Sequence, residues 1–241
     1  MSDAVKARLY VTDALSSGGT VTLADEQAHY LRHVLRLESG SAVALFNGRD
    51  GEFRAVISEA GKKVCRLAVE AQLRPQPPAA SGPWLCFAPI RQGRIEMIVE
   101  KAAELGVGRL LPVITRRTQM QKVNSERLAA HVREAAEQCE RLDVPKVAQS
   151  VTLEKLLQDW PQERQLFVCT ERVEAPGLAG AAAGVGPCAL LIGPEGGFAP
   201  EELARVKRLP QAVTVSLGPR ILRAETAAIA ALAILQAVRQ D

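Results

Sequence analysis

The sequence has no C-x-x-C pair, no G-x-x-x-x-G-K-[ST] loop, no G-x-G-x-x-G run and no G-x-S-x-G elbow. A P-loop, an ordinary dinucleotide fingerprint and the nucleophile elbow of α/β-hydrolases are thereby excluded. Excess charge of one sign is also missing: 30 Lys plus Arg face 27 Asp plus Glu, a formal charge of only +3. That balance rules out polyanion binding by bulk charge and leaves room for local basic patches. The five cysteines, Cys65, Cys86, Cys139, Cys169 and Cys188, lie far apart and read as reduced core residues. His29 and His33 are four apart with no further Cys or acidic partner at ligand spacing, so no metal is expected. Met1 is followed by polar Ser2-Asp3 and no apolar signal core, and the most apolar helix is too short to span a bilayer comfortably. A cytoplasmic protein without a membrane partner is expected.

What is present suffices for a real core, since 47% of the 241 residues are hydrophobic, and the length suits one large or two modest domains. Short strands are expected at Val5 to Val11 and Thr20 to Leu23, then a helix capped by Asp25. On that helix Ala28, Leu31, Val34 and Leu35 share one face and Arg32 and Arg36 another. Strands follow at Ala42 to Asn47, Glu52 to Ser58 and Val64 to Leu73, with turns at Gly48-Arg49-Asp50-Gly51 and Gly61-Lys62-Lys63. Residues 74–83, with Pro75, Pro77, Pro78 and Gly82, cannot build a core and mark a linker between residues 1–73 and 84–241.

Beyond the linker, strand and helix alternate. Trp84 to Ala88, Leu110 to Thr115 and Gln165 to Thr170 read as strands, and Arg91 to Leu105, a Ser125-capped segment and Leu153 to Leu157 as helices. Such alternation predicts an α/β fold with a mostly parallel sheet. Two strand-turn-helix units close the chain. Ala189 to Ile192 runs into Gly193-Pro194-Glu195-Gly196-Gly197 and a helix opening at Pro200-Glu201-Glu202. Val213 to Leu217 runs into Gly218-Pro219, then Ile221, Leu222, Arg223 and Glu225, just before a final helix that is apolar nearly all round. Successive units of this kind suggest a crevice above the carboxyl ends of the strands, and the final helix must be buried on several sides, a dimer interface being favoured.

Each of these features has a plain structural reading beside its functional one. Gly193 to Phe198 taken alone need only join a strand to a helix through positive φ. Glu195 could be a solvated turn residue or a carboxylate at a crevice mouth. Arg223 and Glu225, two apart, could form a surface ion pair.

Their joint occurrence is specific. G-P-E-G-G-F at 193–198 precedes L-G-P-R-I-L-R-A-E-T at 217–226, behind P-x-x-x-R-R-T at 112–118 and E-Q-C-E-R at 137–141, with H-Y-L-R-H-V-L-R at 29–36. The combination resembles the α/β-knot (SPOUT-class) RNA methyltransferases over nearly the whole chain, and within them the bacterial enzymes that methylate N3 of a uridine in small-subunit (16S) ribosomal RNA. The resemblance implies a small PUA-like β-barrel RNA-binding domain followed by a trefoil-knotted parallel-sheet domain that acts as a homodimer. It also implies S-adenosylmethionine held by Thr170, Gly193, Pro194, Gly196, Gly197, Leu217, Gly218, Ile221 and Leu222. The chain departs from the family pattern at Ala199, where a serine is usual, at Glu140, where a small residue is common, and at Ser41, which replaces a frequent aspartate.

Chemistry narrows the roles. N3 of uracil is nucleophilic only after losing its proton, so a base is needed, together with positive charge near O2 and O4. Glu195 or Glu225 is expected as the base and Arg223 as the oxygen partner. Arg8, Arg32, Arg36, Arg116, Arg117 and Arg141 are the expected phosphate contacts. Three rivals remain at this point: a knot methyltransferase acting on another RNA position (a ribose 2′-hydroxyl or a transfer-RNA base), a ribosome-assembly protein that merely holds RNA, and, by fold analogy alone, an anion-binding metabolic enzyme.

Overall fold

The computed structural model describes residues 4–61, 64–78, 82–171 and 174–239. Ser2-Asp3, Lys62-Lys63 of the expected turn, and Ala79, Ala80 and Ser81 of the expected linker lie outside them. The chain divides into two compact units: Met1–Ala80 with Ala136–Val144, and Ser81–Ala135 with Pro145–Asp241.

Period-two patterning builds the first unit. Strands β1 (Arg8–Tyr10), β2 (Thr20–Thr22), β3 (Ala42–Phe46), β4 (Glu52–Ala60) and β5 (Cys65–Arg74) form one sheet in the order β1-β3-β4-β5-β2. The β1–β3 pair is parallel and the others antiparallel. Leu9, Val21, Val43, Leu45, Ile57 and Leu67 point into a shared core with Leu31 from the helix. That helix, α1 (Asp25–His29), widens into a π-helical turn over Tyr30–Val34, closed by Leu35 N–H donating to Tyr30 O at 3.0 Å. The wider turn advances the chain by fewer degrees per residue. Val34, expected on the buried face with Leu31, is therefore exposed. Asp25 is the first helical residue and not the cap, because Ala24 occupies that position without a side-chain bond.

Alternating elements build the second unit. Its strands β6 (Trp84–Phe87), β7 (Arg109–Ile114), β8 (Lys146–Val147), β9 (Val151–Thr152), β10 (Gln165–Cys169), β11 (Cys188–Ile192) and β12 (Ala212–Val215) lie in one seven-stranded sheet. The order is β12-β10-β11-β6-β7-β8, with β9 also on β7, and every pair is parallel. Helices α2 (Arg94–Glu104), α3 (Ser125–Gln138), α4 (Leu153–Gln158), α5 (Leu178–Ala182), α6 (Pro200–Val206) and α7 (Ala224–Arg239) connect them. Asn124, not Ser125, caps α3, its Oδ1 accepting from Arg127 N–H at 3.0 Å. β8, β9 and α5 were not expected from the sequence, being too short to carry a period. No helix among the described residues is long and apolar enough to cross a membrane. Cys65, Cys86 and Cys188 are buried and all five cysteines are free; burial pushes the Cys86 thiol up to about 12, so it is inert.

The E-Q-C-E-R segment belongs to the first unit. Leu142 and Ala136 pack on Phe46 beside Tyr10 and Val144. Arg8 lies 3.7 Å over the Phe46 ring and donates to the carbonyls of Ala136 (2.6 Å) and Arg141 (2.7 Å). Glu137 in return accepts from Tyr10 N–H at 2.7 Å. At the centre sits Glu52, only 5% exposed, bound to Arg8 Nε at 2.5 Å and to Arg74 Nε at 2.7 Å. Burial by itself would raise the Glu52 carboxyl, but the two guanidiniums outweigh it and hold the group below the usual glutamate range. A depressed carboxyl stabilises fully above its unfolded value of about 4.3, and the contribution disappears as the pH falls through the lower folded value. Glu52→Gln is therefore expected to cost about 3–5 kcal/mol at pH 7 by leaving buried Arg8 unneutralised. Urea melts at pH 7 and pH 3 check this: the wild-type excess over the variant must shrink on acidification.

Candidate active site

The parallel register sets the site. Cys169 of β10 is level with Ile192 of β11 and with Val215 of β12. The next residues, Thr170, Gly193 and Ser216, therefore leave three adjacent strands at one height. Thr170 N–H donates to Val215 O at 3.3 Å, and Ala88, just past β6, to Ile192 O at 2.9 Å. Ser216 is locked to the segment after β10 through Ser216 N–H to Pro176 O (2.9 Å) and Leu178 N–H to Ser216 O (3.1 Å).

The glycine turn after β11 is tight, with Gly197 N–H donating to Pro194 O at 2.8 Å. Gly197 has φ +67°, a conformation that favours glycine. Gly193 is required for a different reason: a Cβ there would stand 2.9 Å from the Phe198 ring, which is itself buried. α6 starts at Pro200 after Ala199, whose side chain offers no acceptor, so only half of a reciprocal cap forms: Glu202 Oε2 accepts from Ala199 N–H at 2.9 Å. The other oxygen of Glu202 accepts from Arg116 N–H at 2.8 Å. One carboxylate thus ties the start of α6 to the loop after β7.

That loop is the R-R-T motif. Thr118 Oγ1 accepts from Thr115 N–H at 2.9 Å and Thr118 N–H donates to Thr115 O at 3.1 Å, closing a buried turn that holds Arg116 and Arg117 outward. Arg116 pairs with Glu201, and Arg117 Nη1 donates to Gly196 O at 2.7 Å. Arg117 therefore lines the glycine turn, and Arg116 the start of α6 that follows it. After β12, Leu217 and Leu222 are half-buried, Gly218 and Arg223 exposed, and Ile221 is 57% exposed, unusual for an isoleucine. Glu195 is exposed at the turn. Glu225 is 8% exposed in the first turn of α7, and its partner is Arg94 of α2 at 3.5 Å, not Arg223.

The structure thus gathers Thr170, the glycine turn, Arg116, Arg117 and the segment 217–225 at one edge of one sheet. It does not leave every expected arginine available. Arg8 and Arg141 are the most enclosed of these: their side chains are 11% and 12% exposed, Arg8 bonded to Glu52 and carbonyls, and Arg141 to Asp143 through two bonds of 3.0 and 2.6 Å. Arg32 is half-buried and bonded to Gly61 O, with no carboxylate within 4 Å among the described residues, and Arg36 is exposed at φ +54°. Sequence reasoning missed Arg94 and Glu202. The second carried a signal, an acid three residues after a cap position; the first carried none. Among the described residues no cluster of His, Cys, Asp and Glu could hold a metal ion.

A parallel sheet with glycine turns and uncovered apolar side chains at its carboxyl edge defines an α/β domain of the class whose ligands generally bind at that edge. The family described as an RNA methyltransferase domain matches residues 80–236, and one described as an RNA methyltransferase PUA domain matches residues 23–70. A ribosomal RNA small subunit methyltransferase E from Rickettsia conorii is 35% identical over 229 residues, 94% of this chain and 93% of its own. The solved methyltransferase of Legionella pneumophila in complex with bound S-adenosylmethionine is 32% identical with a TM-score of 0.87, covering 97% of this chain and 98% of that one. The ribosomal RNA small subunit methyltransferase E of Neisseria gonorrhoeae, solved bound to S-adenosylmethionine, is 28% identical with a TM-score of 0.87 over 96% of this chain and 97% of that one. This chain belongs to the RNA methyltransferase family, with a PUA domain preceding the methyltransferase domain.

Gly193→Ala tests the packing of the turn. Displacing the Phe198 ring is expected to cost about 1–3 kcal/mol, read as a lower urea midpoint at unchanged m-value; an unmoved midpoint would mean that the ring yields freely.

Proposed function

We propose that this chain transfers a methyl group from S-adenosylmethionine to N3 of a uridine in small-subunit (16S) ribosomal RNA. The observation that carries the reading is the meeting of the glycine turn, the R-R-T turn and the I-L-R-A-E-T segment at one sheet edge, in a chain whose relatives are small-subunit ribosomal RNA methyltransferases.

The residues present suit the cofactor. Thr170 Oγ1 is buried without a partner, Gly218 is exposed with open space where a Cβ would stand, and Ile221 stands uncovered. A free hydroxyl, open backbone and apolar side chains are what a purine nucleoside needs at its edge and faces. Thr170, Gly193, Pro194, Gly196, Gly197, Leu217, Gly218, Ile221 and Leu222 would hold it. When bound, S-adenosylmethionine supplies an electrophilic methyl on a positively charged sulfur.

The remaining work falls to side chains. Glu195, exposed on the turn and in no ion pair among the described residues, takes the N3 proton. Arg223, equally exposed, faces the charge that spreads to O2 and O4. Glu225, the second carboxylate of this edge, is buried against Arg94, which favours Glu195 as the base. Arg116 and Arg117 at the edge, with Arg32 and Arg36 in the PUA domain, contact phosphates. The division of labour follows residues 1–73 for RNA binding, 74–83 as linker and 84–241 for methyl transfer, in a cytoplasmic protein. The reading includes a trefoil knot in the second domain and a homodimer. Their support is the return of α7 onto α2, α5 and β11 after edge strand β12, and the uncovered Ala233 and Ala237 on α7.

Small ribosomal subunits lacking native modifications, incubated with labelled S-adenosylmethionine and digested to nucleosides, should yield labelled 3-methyluridine. Another labelled nucleoside would discard the uridine assignment. In single-turnover assays Glu195→Gln is expected to slow transfer by about 10²- to 10⁴-fold with cofactor affinity unchanged; a wild-type rate would remove Glu195 from the mechanism.

A further inference from the structure

Glu225 is an anomaly on electrostatic grounds. It is one of few charged side chains buried among the described residues, and its Oε2 is sealed from solvent without any hydrogen-bond partner. Leaving a carboxylate oxygen buried and unpaired is costly, more so than for a neutral group. Its neighbour is equally unsettled. Arg94 is the first residue of α2, where the helix dipole disfavours a cation, and it approaches Glu225 Oε1 only to 3.5 Å, beyond the length of a good hydrogen bond. With 39% of its side chain exposed, most of its donors remain open. Both residues open helices that begin at the carboxyl edge of the sheet, α2 after β6 and α7 after β12. The edge thus carries a cation and an anion side by side, each with bonding capacity left over.

A pair of this kind complements a zwitterion. Among the groups assigned to the cofactor, the threonine hydroxyl, the glycine backbone and the apolar side chains suit a nucleoside, and none carries charge. The other end of S-adenosylmethionine is an α-amino acid, one ammonium and one carboxylate on the same carbon. We propose that Arg94 and Glu225 form the subsite for that amino-acid end, Arg94 donating to the carboxylate and the unpaired Glu225 Oε2 accepting from the ammonium. This rests on the cofactor reading above. It makes both residues binding groups that anchor the ligand remote from the transferred methyl.

Calorimetric binding of two methyl-free ligands tests it. S-adenosylhomocysteine carries the amino acid, and 5′-methylthioadenosine keeps the nucleoside and sulfur but lacks it. The wild-type chain should prefer S-adenosylhomocysteine by about tenfold or more, the worth of a charge-assisted pair. Arg94→Ala and Glu225→Gln should each erase most of that preference while leaving 5′-methylthioadenosine within about twofold of wild type. Loss of both ligands in parallel would make the pair a structural brace and overturn the subsite. So would unchanged affinities in both variants. If Glu225→Gln does not fold, the Arg94→Ala affinities decide alone, since that side chain is partly exposed. A wild-type chain that binds neither ligand would remove the cofactor reading itself, an outcome distinct from binding both equally.

Discussion

Parallel strand pairing is the constraint on which the candidate site depends. In a parallel sheet all strands end on one side, and neighbouring strands stand about 4.8 Å apart. Once Cys169, Ile192 and Val215 are in register, the residues after them have no choice but to share a small area. The loops then differ only in what they present: a hydroxyl after β10, bare backbone after β11, apolar side chains and an arginine after β12. Each loop also feeds a helix start, so the edge collects positive dipole ends suited to anionic groups.

A second theme is how few arginines are free. A guanidinium has five donors in a rigid fork and can stitch together several carbonyls that would otherwise lack partners. Arg8 does this for residues 136–141, and Arg117 holds one carbonyl of the glycine turn, that of Gly196. With a net charge of only +3, the chain cannot rely on a broad positive field to hold RNA. Geometry has to place its cations, and Arg32, Arg36 and Arg223 are exposed or half-buried and in no ion pair among the described residues.

Most of the element order was legible because it rests on period. Alternation announced β3 to β5, helical spacing announced α2 and α3, and a nearly unbroken apolar run announced α7. The glycine turn and the I-L-R-A-E-T segment were legible as a joint motif, although neither was decisive alone. What stayed hidden was of three kinds. Elements of two to five residues, such as β8, β9 and α5, are shorter than the patterns used to detect them. The π-helical turn at Tyr30–Val34 is a change of pitch with no marker in composition, and it misplaced Val34. Long-range pairing was invisible: nothing near Arg94 in sequence points to Glu225, and nothing near Arg8 points to residues 136–141.

The discontinuity of the first unit has a consequence for synthesis. Its sheet is encoded by residue 74, but the segment that covers Phe46 and accepts the bonds of Arg8 ends at Val144. At about 5–20 residues per second the ribosome needs roughly 4–14 s to deliver the missing piece. During that interval the nascent unit exposes an aromatic ring and an arginine fork lacking its carbonyls. The first unit therefore cannot complete its packing before residues 136–144 are made. A chaperone that shields apolar surface on nascent chains would find its binding window there.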